Sequence, residues 1–297
     1  MSSVKYYAMN KPYISLDEVT KNEFSITCIY LAGSIMQDAE KREGFDMNKN
    51  NYHLFTDNEK FILELFHILS DIENCLSSIE NACVFMKRFY GKSYFEKCKI
   101  NIIDYSLYHY DVLCYKISTL KDLYFKLVSH LYDLKLKGKS CNWKSIEKKE
   151  EEINNPFLFH LLRENYNNLS VIDNRRNKSA HEGKIEHAAF KDISPYVMLT
   201  MYSKTMPISD DVIITRGSYL EYKLKSSRKK FLEETEICKY NAFIFTRCIL
   251  CSLSEKFIQK INNDTKNKYL STFEKIKQEM QSNKCSISKN MWKDCSD

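Results

Sequence analysis

Glycine and proline are scarce enough in this chain to decide its architecture before any motif is read. Only 6 Gly and 4 Pro occur among 297 residues, where ordinary usage gives about 20 and about 15. These residues punctuate turns, so their scarcity means few turns. A β-sandwich, a barrel or a dinucleotide-binding sheet needs many tight connections and is excluded on that ground. Gly-rich phosphate loops are excluded directly, because neither G-x-G-x-x-G nor G-x-x-x-x-G-K-[ST] is present. Long helices with few connections remain, which makes the fold class mainly α.

Hydrophobic periodicity locates those helices. Phe61, Leu65, Ile68, Ile72, Leu76, Ile79, Cys83, Met86 and Tyr90 recur at steps of three and four, one apolar stripe over about eight turns. Asp57 stands in front as the expected N-cap and Gly91 behind as the expected stop. A second stripe runs from Ile102 to Leu136, with Gly138 placed to cap it. A third runs from Lys229 to Ile261 and is apolar nearly all round from Ala242 to Leu253, as a central helix would be. A fourth helix is expected over Pro156 to Glu182, with Asn155 as cap, Pro156 at the first helical position and Gly183 as terminator. Its middle is weakened by Asn167, Asn168 and Ser170. Apolar faces wider than a coiled-coil seam favour a globular bundle.

The remaining segments carry less regular signals. Residues 137–155 are charge-dense, with Trp143 as the only large anchor, and read as an exposed linker with room for one helical turn. Between about 195 and 225 the pattern turns strand-like, in Tyr196–Tyr202, Val212–Thr215 and Tyr219–Leu224, which predicts a small β insertion. Ser15 and Glu18 match a capping box, predicting a helix that extends to about Arg42. One short helix is expected near Tyr269 to Met280. The organisation expected is an N-terminal extension (1–51), a helical bundle with its β insertion (52–262) and a polar C-terminal segment (263–297).

The net charge of +6 suits a polyanionic partner without demanding one. No apolar run approaches the ~18 residues of a membrane span, so no membrane association is expected. The 11 Cys are scattered and read as reduced thiols of a cytoplasmic protein. Cys248-x-x-Cys251 lies inside the most apolar helix and reads as core packing. No metal site and no cofactor are expected.

The stretch Ile172 to Gly183 carries the chemistry. On a helix, His181 lies about 7.5 Å along and about 140° around from Arg176. A His can take a proton from a 2′-hydroxyl or return one to the leaving oxygen. An Arg can neutralise charge on a pentacovalent phosphate. Asn177 can orient a phosphate oxygen or the His ring. Arg175 and Lys178 are the candidate substrate-binding cations, with a solvated helix face as the competing reading. Asp173, three residues before Arg176, can hold its guanidinium or equally form a surface i,i+3 pair with it. His187, the tyrosines between 105 and 115, and the basic run from Lys223 to Lys230 have structural readings at least as strong as functional ones.

Arg176-Asn177-x-x-x-His181 resembles the signature of HEPN domains: Arg, a polar residue, three to five further residues and His. The resemblance implies a compact α-helical bundle acting as a metal-independent endoribonuclease of toxin–antitoxin or antiviral defence systems. It further implies a homodimer with a composite cleft, RNA as substrate, and an antitoxin or regulatory partner. Arg176 and His181 would take the catalytic positions and Asn177 the polar one, leaving 2′,3′-cyclic phosphate ends. The alternative is a catalytically inactive HEPN-type module that binds RNA, a nucleotide or a protein partner.

Overall fold

Three helices start from reciprocal capping boxes. Ser15, Thr56 and Asn101 accept backbone N–H groups of the first turn, while Glu18, Glu59 and Asp104 bond back to the cap residue's own N–H. Each box satisfies two of the donors that a helix start leaves unpaired. A computed structural model describes residues 14–89, 92–183, 186–203 and 217–282. In chain order its helices are α1 (Leu16–Thr20), α2 (Glu23–Ala39), α3 (Asp57–Lys87), α4 (Lys92–Lys97), α5 (Ile102–Leu131), α6 (Trp143–Glu147), α7 (Glu150–Ile153), α8 (Pro156–Glu182), α9 (Ser194–Ser203), α10 (Gly217–Lys260), α11 (Asn263–Lys268) and α12 (Leu270–Ser282). Among the described residues there is no strand, and no helix is long and apolar enough to cross a membrane.

The four long helices form an up-down-up-down bundle. Phe61 stacks on His130, Cys75 reaches the Lys116 carbonyl and Phe85 meets His109, so α3 and α5 run antiparallel. Asp173 of α8 meets Ser118 and Lys121 of α5. Asn155 at the start of α8 donates to the Ser252 carbonyl of α10. Asn58 reaches the Lys260 carbonyl, and Arg228 donates to the carbonyls of Met86 and Lys87. Arg228 thereby satisfies acceptors at the C-terminus of α3 that the helix cannot pair itself. Phe231, Phe243, Ile249, Leu250, Leu253 and Phe257 of α10 are all buried. From Ala242 to Leu253 no residue of α10 is exposed, as expected for the central helix. Ile237, Ile244 and Ile258, spaced at multiples of seven residues, are only half-buried and lie at the flank of this line.

A charged cluster joins α2 and the start of α3 to α11. Arg42 sits 2.6 Å from both Asp38 and Glu59, and Lys268 sits 2.8 and 3.0 Å from the same two carboxylates. The Tyr269 hydroxyl donates to Glu59 at 2.8 Å. Burial alone would raise the Glu59 carboxyl; bonds from Arg42, the Thr56 N–H, Tyr269 and Lys268 outweigh it and hold it well below the usual range. On the other side, Ser34 of α2 and Thr272 of α12 share a 2.8 Å hydroxyl bond.

Several expectations are corrected. Tyr196–Tyr202 and Tyr219–Leu224, expected as strands, lie within α9 and α10. Ile193 and Val197 are buried and four residues apart, and Leu220, Leu224 and Ser227 lead at helical steps into buried Phe231. Packing at that period overrides the β propensity of the intervening aromatic and branched residues. Val212–Thr215 lies outside the described residues. The cap of α3 is Thr56, with Asp57 the first helical residue; Gly91 lies outside the described residues. α5 ends at Leu131, seven residues before Gly138, because Asp133 and Lys135 adopt positive φ. The N-terminal helix is broken at Lys21–Asn22, where Asn22 caps α2 through its side chain. Residues 137–155 are no bare linker. Trp143, Ile146 and Ile153 are buried, and Trp143 packs against Phe159 and Tyr166.

Glu59→Gln removes a buried charge from this cluster and should cost roughly 3–5 kcal/mol, read as a lowered urea midpoint. Because the folded-state pKa is depressed, Glu59's contribution is complete above about pH 4.3 and is lost progressively as pH falls below it. Acid unfolding of Glu59→Gln should therefore show a shallower pH dependence than wild type.

Candidate functional site

The helix that carries the motif is defined at both ends by its own residues. The Asn155 side chain accepts the Leu158 N–H, and Pro156 occupies the first turn. The helix continues through Asn167 and Asn168 without a break. Leu158, Phe159, Leu161, Leu162 and Ile172 anchor it in the core. Gly183 stops it, at φ +66 with its N–H on the Ser179 carbonyl at 2.9 Å. A left-handed C-terminal residue is accessible to Gly without a Cβ clash.

Asp173 sets how this helix meets α5. One carboxylate oxygen accepts the Ser118 hydroxyl at 2.7 Å and the other pairs with the Lys121 ammonium. Ser118 and Lys121 are both buried, and Lys121 also lies 5.5 Å from the centre of the Tyr166 ring. Arg176 lies one turn beyond Asp173. Its Nη1 donates to Ser118 Oγ at 2.9 Å, and Nη2 and Nε donate to Asn177 Oδ1 at 2.9 and 3.3 Å. Ser118 therefore links Asp173 to Arg176, so the carboxylate acts on the guanidinium through a hydroxyl. Asn177 is turned to Arg176.

Three consecutive polar side chains take different directions. Arg175 is half-buried, donates to the Tyr110 hydroxyl and lies 5.7 Å from the centre of that ring. Arg176 runs along the α5–α8 seam, while Asn177 and Lys178 are exposed. His181 is exposed in the last turn and is not among the hydrogen-bond partners of Arg176. The helix sets the two about 7.5 Å apart along its axis.

Past Gly183 the chain returns His187 to the interior. Its ring meets Tyr110 and Phe231 edge-on, at 4.9 and 4.8 Å between centroids. Nδ1 accepts the Ala189 N–H at 3.2 Å, which assigns the ring proton to Nε2. Glu234 Oε2 lies 3.0 Å from Nε2 but off the N–H axis, so the attraction is electrostatic. The contact with His187 holds the Glu234 carboxyl below its usual range.

Sequence reasoning did not single out Ser118, Lys121 or Glu234. The available signal was Ser118 and Lys121, two polar residues one turn apart inside the otherwise apolar stripe of α5. Of the tyrosines between 105 and 115, Tyr110 is core, whereas Tyr108 and Tyr115 are exposed. Cys248 and Cys251 are half-buried.

The bundle, with an Arg-polar-x-x-x-His stretch ending one of its four long helices, is of the all-helical class to which HEPN domains belong. The model of the Cthe2314-like HEPN family matches residues 61–237, more than half of the chain, and the chain belongs to that family and to the HEPN superfamily. No curated protein and no solved structure matches it.

Asp173→Asn strips the buried Lys121 of its ion-pair partner and should cost about 3 kcal/mol in chemical unfolding. Adding Lys121→Met should recover a large part of that loss, since the stranded charge is then gone.

Proposed function

We propose that this protein is a metal-independent endoribonuclease of a toxin or defence system. The observation that carries the reading is the Arg176-Asn177-x-x-x-His181 stretch at the end of α8 in a chain of the HEPN superfamily. In this reading His181 removes the proton from an RNA 2′-hydroxyl or returns one to the departing 5′-oxygen. Its exposed position gives a strand access to the ring. Arg176 stabilises the negative charge of the phosphorane. A guanidinium has five N–H donors, and the bonds to Ser118 and Asn177 use three, so two can meet a phosphate. Anchoring by Ser118 holds the cation in place before substrate arrives, which is what electrostatic stabilisation requires. Asn177 contributes its amide N–H groups to the scissile phosphate, and Lys178 the neighbouring backbone charge. Arg175, turned to Tyr110, serves the scaffold.

Each chain contributes one Arg176 and one His181, so groups on both sides of the phosphate call for a second copy. The active species is a homodimer with the two α8 ends facing one cleft, in a cytoplasmic setting where an antitoxin or regulatory partner restrains it. The helical body of residues 52–262 carries the activity, and residues 1–51 and 263–297 extend it. The second reading, a HEPN-type binding module without activity, draws support from the bonds that tie Arg176 into the seam.

His181→Ala should lower the rate of RNA cleavage by about 10²–10⁴-fold with unfolding unchanged, and EDTA should leave the wild-type rate intact. Unchanged cleavage by the variant removes His181 from the chemistry. No cleavage by the wild type with any single-stranded RNA favours the binding module. In sedimentation the active species should be a dimer, and a monomer that cleaves at full rate contradicts the composite cleft.

A further inference from the structure

α5 and α8 meet along an antiparallel seam whose register is fixed by side-chain contacts. Lys121 lies by the Tyr166 ring, Ser118 meets Asp173 and Arg176, and Tyr110 receives Arg175. Following α8 toward its C-terminus therefore means following α5 toward its N-terminus. His181 lies about 7.5 Å past Arg176 in that direction. Tyr115 lies three residues, about 4.5 Å, before Ser118, so its level on α5 falls between those of Arg176 and His181. Side chains on a helix lean toward its N-terminus, which carries the Tyr115 ring further toward the His181 level.

Tyr115 stands largely outside the packing of its own helix. Ile117 and Ser118 are buried, whereas Tyr115 is 57 % exposed. Residues three apart on a helix are surface neighbours, with Cβ atoms about 5–6 Å apart, so the ring springs from beside the hydroxyl that holds Arg176. Tyr108, seven residues earlier on the same stripe, is set edge-on to His109 at 5.3 Å. Among the described residues no second ring and no cation stacks on Tyr115.

The two helices also divide the charge. α8 carries Arg175, Arg176 and Lys178 within four residues, whereas Lys116 is the one Lys or Arg from 102 to 120. Asp111 precedes Tyr115 by four residues and so shares its face. A phosphate is therefore held from α8. The α5 side offers a ring face and, at Asp111, acceptors for N–H donors of a base edge. A flat, N–H-bearing group joined to a phosphate by a short linker fits both sides at once.

Resting on the ribonuclease reading above, we propose that Tyr115 is a specificity-determining residue that stacks the unpaired base of a nucleotide next to the scissile phosphate. The substrate must then be single-stranded at that position, because a base inside a duplex has no free face to offer. The ring acts through its face and not its hydroxyl, so Phe replaces it and Ala does not. Stacking holds ground state and transition state alike, so its loss falls on KM and leaves kcat in place.

A cycle between protein and substrate tests this. A single-stranded RNA with one cut site is compared with the same RNA carrying an abasic nucleotide on either side of the cut. Tyr115→Ala should raise KM for the intact RNA about tenfold with kcat unchanged, while Tyr115→Phe and the exposed control Tyr94→Ala stay at the wild-type value. The abasic nucleotide at the stacked position should raise the wild-type KM by a similar factor and add nothing in Tyr115→Ala, since both changes remove one interaction. Losses that multiply, an unchanged KM in Tyr115→Ala, or equal cleavage of the same site within a duplex overturns the proposal. The cycle is repeated by fluorescence anisotropy on RNA with a 2′-deoxy nucleotide at the cut, which cannot be cleaved. Coupling in binding from a wild type that cleaves no RNA upholds the stack and removes the ribonuclease reading. Cleavage that depends on His181 without any coupling removes Tyr115 and leaves that reading standing.

Discussion

The Asp173 carboxylate fixes how the motif helix sits on the bundle. Ser118 and Lys121 are buried polar groups in the α5 face that α8 covers, and a buried ammonium without a counter-charge is strongly unfavourable. Only a helix presenting a carboxylate at that level satisfies both, and Asp173 does so with one oxygen for each. Apolar packing tolerates sliding and rotation more readily than a pair of directed bonds does. With α8 pinned at Asp173, the directions of the following residues are determined. Arg175 turns to Tyr110, Arg176 enters the seam at Ser118, and the last turn with His181 emerges into solvent.

The interior therefore reaches the motif from two sides. Ser118 holds Arg176 directly, while Tyr110 holds its neighbour Arg175 and, through the His187 ring, touches Glu234 of α10. Arg228 adds a tie between α10 and the end of α3. Three of the four bundle helices, α5, α8 and α10, converge around one short stretch of sequence. His181 stands at the edge of that convergence, one residue from where α8 ends and two from the left-handed Gly183. A proton-transfer group on the last turn of a well-anchored helix combines a fixed origin with access to a large substrate.

Where the signal was local, the sequence was legible. α8 was readable to the residue because Asn155, Pro156 and Gly183 each act within a turn of where they stand, and the stripes of α3, α5 and α10 report their own burial. The end of α5 was not, since Asp133 and Lys135 take positive φ, a conformation that Gly would have announced and these residues do not. The β insertion failed for a related reason: Tyr196 to Tyr202 has strand propensity, and only the burial of Ile193 and Val197 on a common face reveals a helix. In the candidate site the motif was visible as six residues, but its support was not. Ser118 and Lys121 lie 55 and 52 residues from Asp173, and nothing short of the fold brings such partners together. The same holds for Arg42, Glu59 and Lys268, which meet across more than two hundred residues of sequence.

The central claim is that this arrangement does 2′-hydroxyl chemistry on RNA, with His181 as the proton-transfer group. That chemistry leaves a signature in its products, because attack by the adjacent oxygen closes a cyclic phosphate and frees a 5′-hydroxyl. Mapping RNA ends in cells that express the wild-type chain or His181→Ala reads it most directly. The account predicts new 2′,3′-cyclic phosphate and 5′-hydroxyl ends with the wild type and none with the variant. Identical ends in both, or new ends bearing 3′-hydroxyl and 5′-phosphate groups, would contradict it.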